Sequence, residues 1–226
     1  MRKELIALGF CILGMRVVAA NESPVYTELW IGKSSIDDVS ARRATGSING
    51  ITFSNVQGTV RYDDPTLYGL EVGATEFAGG PFRVGLSFQT GKAQLRSLSG
   101  SGTISNGTAT VDLVTRLNAA QLRDIGVDFD NRVRMVGINA YYDFNKDSAF
   151  RPFVGLGFGQ ADIANAERLE FFRGLYLGVN YEISKNAYLG VRVSNYRIDG
   201  PTDRLGVSYE AIKVNNYGLH WGYRRY

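Results

Sequence analysis

His220 is the only histidine in the chain and Cys11 the only cysteine, so residues for hydrolytic, redox or metal chemistry are scarce. A hydrolase built on Ser and His would need a serine near His220. None lies within a few residues, and a triad could assemble only across separate elements. One histidine, with the single cysteine near the N-terminus, makes a poor metal site. The sequence therefore predicts no catalytic residues, no metal and no cofactor. The residues that do fall into a pattern are Glu28, Glu71, Asn139, Arg192 and His220. Each lies on the polar face of an alternating segment and, Glu28 excepted, at a similar height from the nearest turn. They are expected to form one polar cluster, with Arg192 paired to Glu71 or Glu28. Structural networks are the usual reason for such clustering; a proton or ion path is the alternative.

The elements that would position this cluster are strands. Alternation with period two recurs in segments of about ten residues, the pattern of a membrane barrel. Phe82, Val84, Leu86 and Phe88 share one face, while Arg83, Gly85, Ser87 and Gln89 share the other. The preceding segment alternates Tyr68, Leu70, Val72 and Ala74 with Gly69, Glu71, Gly73 and Thr75, and the turn between is Ala78-Gly79-Gly80-Pro81. A second hairpin sets Val136, Ile138, Ala140, Tyr142 and Phe144 before a turn at Asn145–Ser148, then Phe150, Pro152, Val154, Leu156 and Phe158. A third sets Leu175, Leu177, Val179 and Tyr181 before Ser184-Lys185-Asn186, then Leu189, Val191 and Val193. Tyr26–Ser34, whose alternation Trp30 blurs, and Lys213–Tyr226 complete eight strands.

An even count lets the first and last strands pair and close the sheet. Closure matters because an open edge in hydrocarbon leaves backbone groups unpaired. The fold class expected is all-β: a closed antiparallel up-and-down transmembrane barrel. A soluble sandwich or lipocalin-like barrel would also alternate. Here, however, the second face repeats Gly with Arg, Glu and Asn, which suits a narrow polar lumen. The 27 Gly, 13 Tyr and 12 Phe against 5 Pro agree with this.

Residues 1–20 read as a cleavable signal peptide. Arg2 and Lys3 precede the apolar run Leu5–Met15, and Val18-Ala19-Ala20 offers small residues before Asn21. The mature chain, 21–226, would then carry 22 basic and 21 acidic residues and no cysteine. Near neutrality gives no reason to expect nucleic acid as a partner.

Short turns after the second, fourth and sixth strands contrast with long connections at about 36–65, 97–131, 161–170 and 198–211. In outer-membrane barrels the short turns are periplasmic and the long loops external, which puts both termini in the periplasm. Strand-like stretches within the first two loops, such as Ile51-Thr52-Phe53, leave room for extra strands. Aromatics at both ends of the apolar faces predict two girdles at the lipid interfaces. Phe82, Tyr142, Phe144, Phe150 and Tyr181 lie on the turn side, with Tyr68, Phe88, Phe158 and Tyr217 on the loop side.

Tyr141-Tyr142-Asp143-Phe144, a polar turn, and Phe150-Arg151-Pro152-Phe153-Val154-Gly155-Leu156-Gly157 resemble the central periplasmic hairpin of a known family. That family is the small outer-membrane β-barrel domain of opacity-type surface proteins, and the resemblance spans roughly residues 22–226. The C-terminus is similar to the aromatic-ended signal read by the barrel-assembly machinery, with Tyr226 where Phe is more usual. Tyr223 and Tyr226 cannot share a face of a regular strand, so a bulge or frayed end is expected there. The resemblance implies a monomer in outer-membrane lipid, with its loops free to meet a host or extracellular ligand. Three functions stay open: a structural or adhesive surface protein, a narrow channel for small solutes, and a lipid-modifying hydrolase. An eight-stranded lumen is just wide enough for side chains to fill, which weighs against a general pore.

Overall fold

The computed structural model describes residues 24–48, 51–77, 80–105, 107–108, 110–118, 120–121, 132–145, 147–164, 166–202 and 208–225. The leader and Tyr226 lie outside the described residues. Twelve strands are present among them. Eight form a closed antiparallel barrel: β1 (Val25–Ile36), β4 (Thr66–Ala74), β5 (Phe82–Lys92), β8 (Arg132–Asp143), β9 (Phe150–Ile163), β10 (Glu170–Glu182), β11 (Ala187–Ile198) and β12 (Ile212–Arg225). The other four, β2 (Val39–Ile48), β3 (Ile51–Tyr62), β6 (Leu95–Ser105) and β7 (Thr110–Asn118), form a separate sheet in the order β2-β3-β6-β7. The first two long connections are thus a single structured unit made of two hairpins.

The barrel closes between its first and last strands. β1 pairs with β12 from Val25↔Arg225 to Ile36↔Val214 without interruption. Through Arg225 the alternation is regular, with Arg224 turned inward and Arg225 outward; the bulge or frayed end expected at Tyr226 lies outside the described residues. Trp30 likewise does not disturb β1. It occupies an inward position between the outward Leu29 and Ile31.

Tight turns hold the hairpins. At β8–β9, Asn145 adopts φ 52° and its carbonyl accepts a bond from the Ser148 amide at 2.9 Å. At β10–β11, Ser184 Oγ accepts the amides of Asn186 and Ala187. The turn predicted at 78–81 falls partly outside the described residues. Glu76 before it has φ 54°.

The outward face of the barrel is apolar and exposed. Leu177, Leu219 and Val191 expose 64, 63 and 55% of their surface. An apolar area of this extent in water would be a large liability; in hydrocarbon it is what strands must present. On β9 the outward run Phe150–Phe158 rises about 3.3 Å per residue. Tilted by roughly 40°, it covers about 20 Å of height, close to the band of an outer-membrane barrel. All nine girdle positions, Tyr68, Phe82, Phe88, Tyr142, Phe144, Phe150, Phe158, Tyr181 and Tyr217, point outward and are exposed. Phe82, Tyr142 and Phe144 stack edge to face along the turn side, and Phe150 meets Tyr181 there.

The inward face is crowded. Gly137 and Gly159 face each other across β8 and β9, with the Phe172 ring lying over both. A Cβ on Gly159 would stand 2.1 Å from the Val136 carbonyl oxygen, so no larger residue fits without moving backbone.

Candidate functional site

The lumen has two tiers. The tier toward the loops is mainly apolar, with the buried Ser34, Gln89, Ser194 and Asn216 among its members. Leu67, Met135, Phe172, Ile198 and Val214 pack there, with Tyr196 and Ala161 beside them. Below it, at mid-barrel and toward the turns, lies a polar network. Three carboxylates (Glu28, Asp143 and Glu182) meet four guanidiniums (Arg83, Arg151, Arg192 and Arg224), and a fourth, Glu71, lies among hydroxyl and amide donors.

Glu28, on β1, is the hub. Arg192 Nη1 donates to its Oε1 at 3.0 Å and Tyr188 Oη to its Oε2 at 3.0 Å. Arg83 Nη1 stands 3.5 Å from the same Oε2, and His220 Nε2 3.9 Å from it. Glu71 has no such cation. Its carboxylate accepts from the hydroxyl of Tyr26, from Asn139 Nδ2 at 2.6 Å and from Tyr141 Oη at 2.9 Å. Tyr176 Oη then donates to Asn139 Oδ1 at 2.9 Å. Arg192 therefore sits on Glu28, while Glu71 is held by neutral donors.

Three residues of this network carry weight that the sequence reading did not give them. Arg83 forms an ion pair with Asp143 at 2.8 Å and lies over the rings of Tyr141 and Phe153. Arg224 binds Glu182 at 2.6 Å and covers Tyr188, its guanidinium 4.4 Å from the ring centre. Asn180 Oδ1 hydrogen-bonds His220 Nε2 at 2.6 Å. The inward positions of Arg83 and Asn180 were legible from alternation; which groups they would meet was not. Side-chain links between strands involve β1, β4, β5, β8, β9, β10, β11 and β12, so the network ties every strand of the barrel to another.

His220 is buried between Phe153 and Tyr188. Its polar partners among the described residues are Asn180 and Glu28, and no serine hydroxyl is among them. Among the described residues no group of three His, Cys, Asp or Glu side chains could hold a metal ion.

A second site lies on the loop sheet. An open groove of about 710 Å³ is lined by Arg61, Arg96, Arg116, Asp38, Asn118 and Gln121. Arg61 is paired with Asp38 at 2.8 Å. Arg96 and Arg116 are exposed and have no ion pair among the described residues. These cations come from three different strands, β3, β6 and β7, and only their pairing brings them together.

No protein-family model matches the chain, and no curated protein matches it. Solved structures do. Neisserial surface protein A is 12% identical, with 88% of this chain and 96% of that one covered at a TM-score of 0.51. The outer membrane protein OprG from Pseudomonas aeruginosa is 16% identical, with 90% and 96% covered at 0.43. At such identity the likeness is one of fold, and the chain has the fold of the small eight-stranded outer-membrane barrels.

Proposed function

We propose that this chain is an outer-membrane surface protein of the opacity-type kind, standing with its short turns and both termini in the periplasm. In this reading it acts through its external loops, and its barrel is a plugged anchor. The observation that carries the reading is a contrast. The lumen is filled by an apolar tier above an ion-paired tier, whereas the loop sheet presents an open groove with two uncommitted arginines. Function in folds of this type resides on loops held by a rigid scaffold. Arg96 and Arg116, beside Asn118 and Gln121, suit an extracellular partner rich in carboxylate, sulfate or phosphate groups.

In this reading the lumen is a structural plug. Its charges answer one another across the barrel, which supports a structural reading of Glu28, Glu71, Asn139, Arg192 and His220. The nine outward aromatics are proposed as girdles seated at the two lipid interfaces.

The experiment is a binding titration of the detergent-folded barrel against an immobilised polyanion, comparing the wild type with R96E/R116E. Reversal of both charges should weaken binding about tenfold or more and flatten its salt dependence. Equal binding by both proteins would remove the groove from the proposal. In planar bilayers the barrel should show no stable conductance; discrete channel openings would favour the narrow-channel reading. A detergent-folded sample should migrate differently on gels before and after heating. The absence of any shift, together with solubility without detergent, would overturn the membrane assignment itself.

A further inference from the structure

Above the apolar belt, on the loop side, the outward face of β10, β11 and β12 carries three cations in one transverse row. Arg173 is directly opposite Arg197, and Arg197 is directly opposite Lys213. All three are exposed. Like charges placed directly across strands destabilise a sheet. Neighbouring strands are about 4.8 Å apart, so the row concentrates three positive charges within roughly 10 Å.

None of the three forms an ion pair among the described residues. Asp37 and Asp199 border the row, but the contacts the structure gives them run through the backbone. The Asp37 amide donates to the Lys213 carbonyl at 3.1 Å, and the Asp199 amide to the Phe171 carbonyl at 2.9 Å. The other flank of the barrel is built differently, since Arg134 there stands opposite Asp162.

What lies below the row says what kind of anion fits. The next outward layer holds Leu175 and the pair Asn195–Asn215, whose side-chain amides are bonded at 2.6 Å. Beneath these come Leu177, Val193 and Tyr217, all exposed on the belt. Arg173 also adjoins the outward Phe158 on β9. From the loops downward the order is cation, amide, then hydrocarbon. A soluble polyanion would use only the first of these layers.

We propose that Arg173, Arg197 and Lys213 form a binding site for the phosphate headgroup of an anionic lipid, whose acyl chains lie on Leu175, Leu177, Val193 and Tyr217. In an outer membrane with the loops outside, this row stands at the headgroup level of the external leaflet, where phosphorylated glycolipid would supply the anion. The inference rests on the membrane reading above, which the gel-migration test addresses separately.

The test uses the full mature chain folded into phosphatidylcholine nanodiscs, titrated with diphosphorylated lipid A, with the bound lipid counted per barrel. Each basic residue at an anionic membrane surface contributes roughly fivefold in affinity, so R173Q/R197Q/K213Q should bind about a hundredfold more weakly. R173K/R197K, which keeps the charge, should stay within a few-fold of wild type. K185Q/R225Q, at the opposite rim, should match it. Equal binding by the triple variant, or an equal loss in the opposite-rim variant, overturns the site. Inorganic phosphate is the second probe. If it displaces lipid A at comparable concentrations, the belt adds nothing and the lipid assignment fails. Heat-dependent migration of each variant confirms that it is folded. If the triple variant does not fold, R173Q and R197Q are compared singly, and an unchanged affinity in both overturns the proposal.

Discussion

Glu28→Leu lowers the unfolding free energy of the folded barrel by about 3–5 kcal/mol, the loss expected when one partner of a buried ion pair is removed. The reason is the position left by the missing carboxylate. Arg83 would keep Asp143 at 2.8 Å. Arg192 would keep the faces of Trp30 and Tyr176, at 4.7 and 5.6 Å, and only the longer-range field of Glu71. A guanidinium with 3% of its surface exposed would then have no carboxylate in contact. Tyr188 would also lose its acceptor. Urea titration of the folded barrel, read by the heat-sensitive gel band, measures the loss. The double variant E28L/R192M should recover part of it, because both charges leave together. A loss below about 1 kcal/mol in E28L would mean that water reaches Arg192 and that the lumen is less closed than its packing implies.

The second large effect lies on the other face. Val191 is outward and mid-height on β11, with Val179 and Leu219 as its cross-strand neighbours. Val191→Arg should destabilise the barrel in a bilayer by about 2–4 kcal/mol, the range for a basic residue at the midplane of a barrel's lipid face. The same change at Asn195, two outward layers toward the loops, should be nearly neutral, since the penalty falls off toward the interface. Equal tolerance at both positions would show that this face does not meet hydrocarbon. The two substitutions report on opposite sides of one wall, and the sheet is only one residue thick.

Much of this wall was legible in the sequence. The hairpins β4–β5, β8–β9 and β10–β11 follow from strict alternation and adjacent turn residues, because period two assigns each side chain to a face without knowledge of the partner strand. Glu28, Glu71 and Arg192 stood out since charges on the face opposite Leu, Val and Phe have to be inside. Their pairing was not legible. It depends on the stagger of β1 against β12 and of β5 against β8, and no local pattern encodes register between strands so distant in sequence. Trp30 misled because hydropathy alone assigns an indole to the apolar face, whereas in this lumen it is a platform for Arg192. The loop sheet was the least legible part. Its β6 reads Leu-Arg-Ser-Leu-Ser-Gly-Ser-Gly-Thr-Ile-Ser, small and polar on both faces, so its strand character comes from pairing with β3 and β7. The groove arginines could therefore not be placed together beforehand.

The seam between β1 and β12 has a consequence for how the chain folds. Val25 meets Arg225, so the hydrogen bonds that finish the cylinder join residues at opposite ends of the polypeptide. Every other neighbouring pair in the barrel is closer in sequence. Loop-closure entropy makes such a contact the slowest to form, and until it forms a curved ribbon with two bare edges is exposed to lipid. The same geometry makes the beginning and end of the strand system immediate neighbours in space. The cylinder is in effect a circular chain cut at one point, and the cut lies where its two ends could be joined by a short peptide without disturbing a single strand.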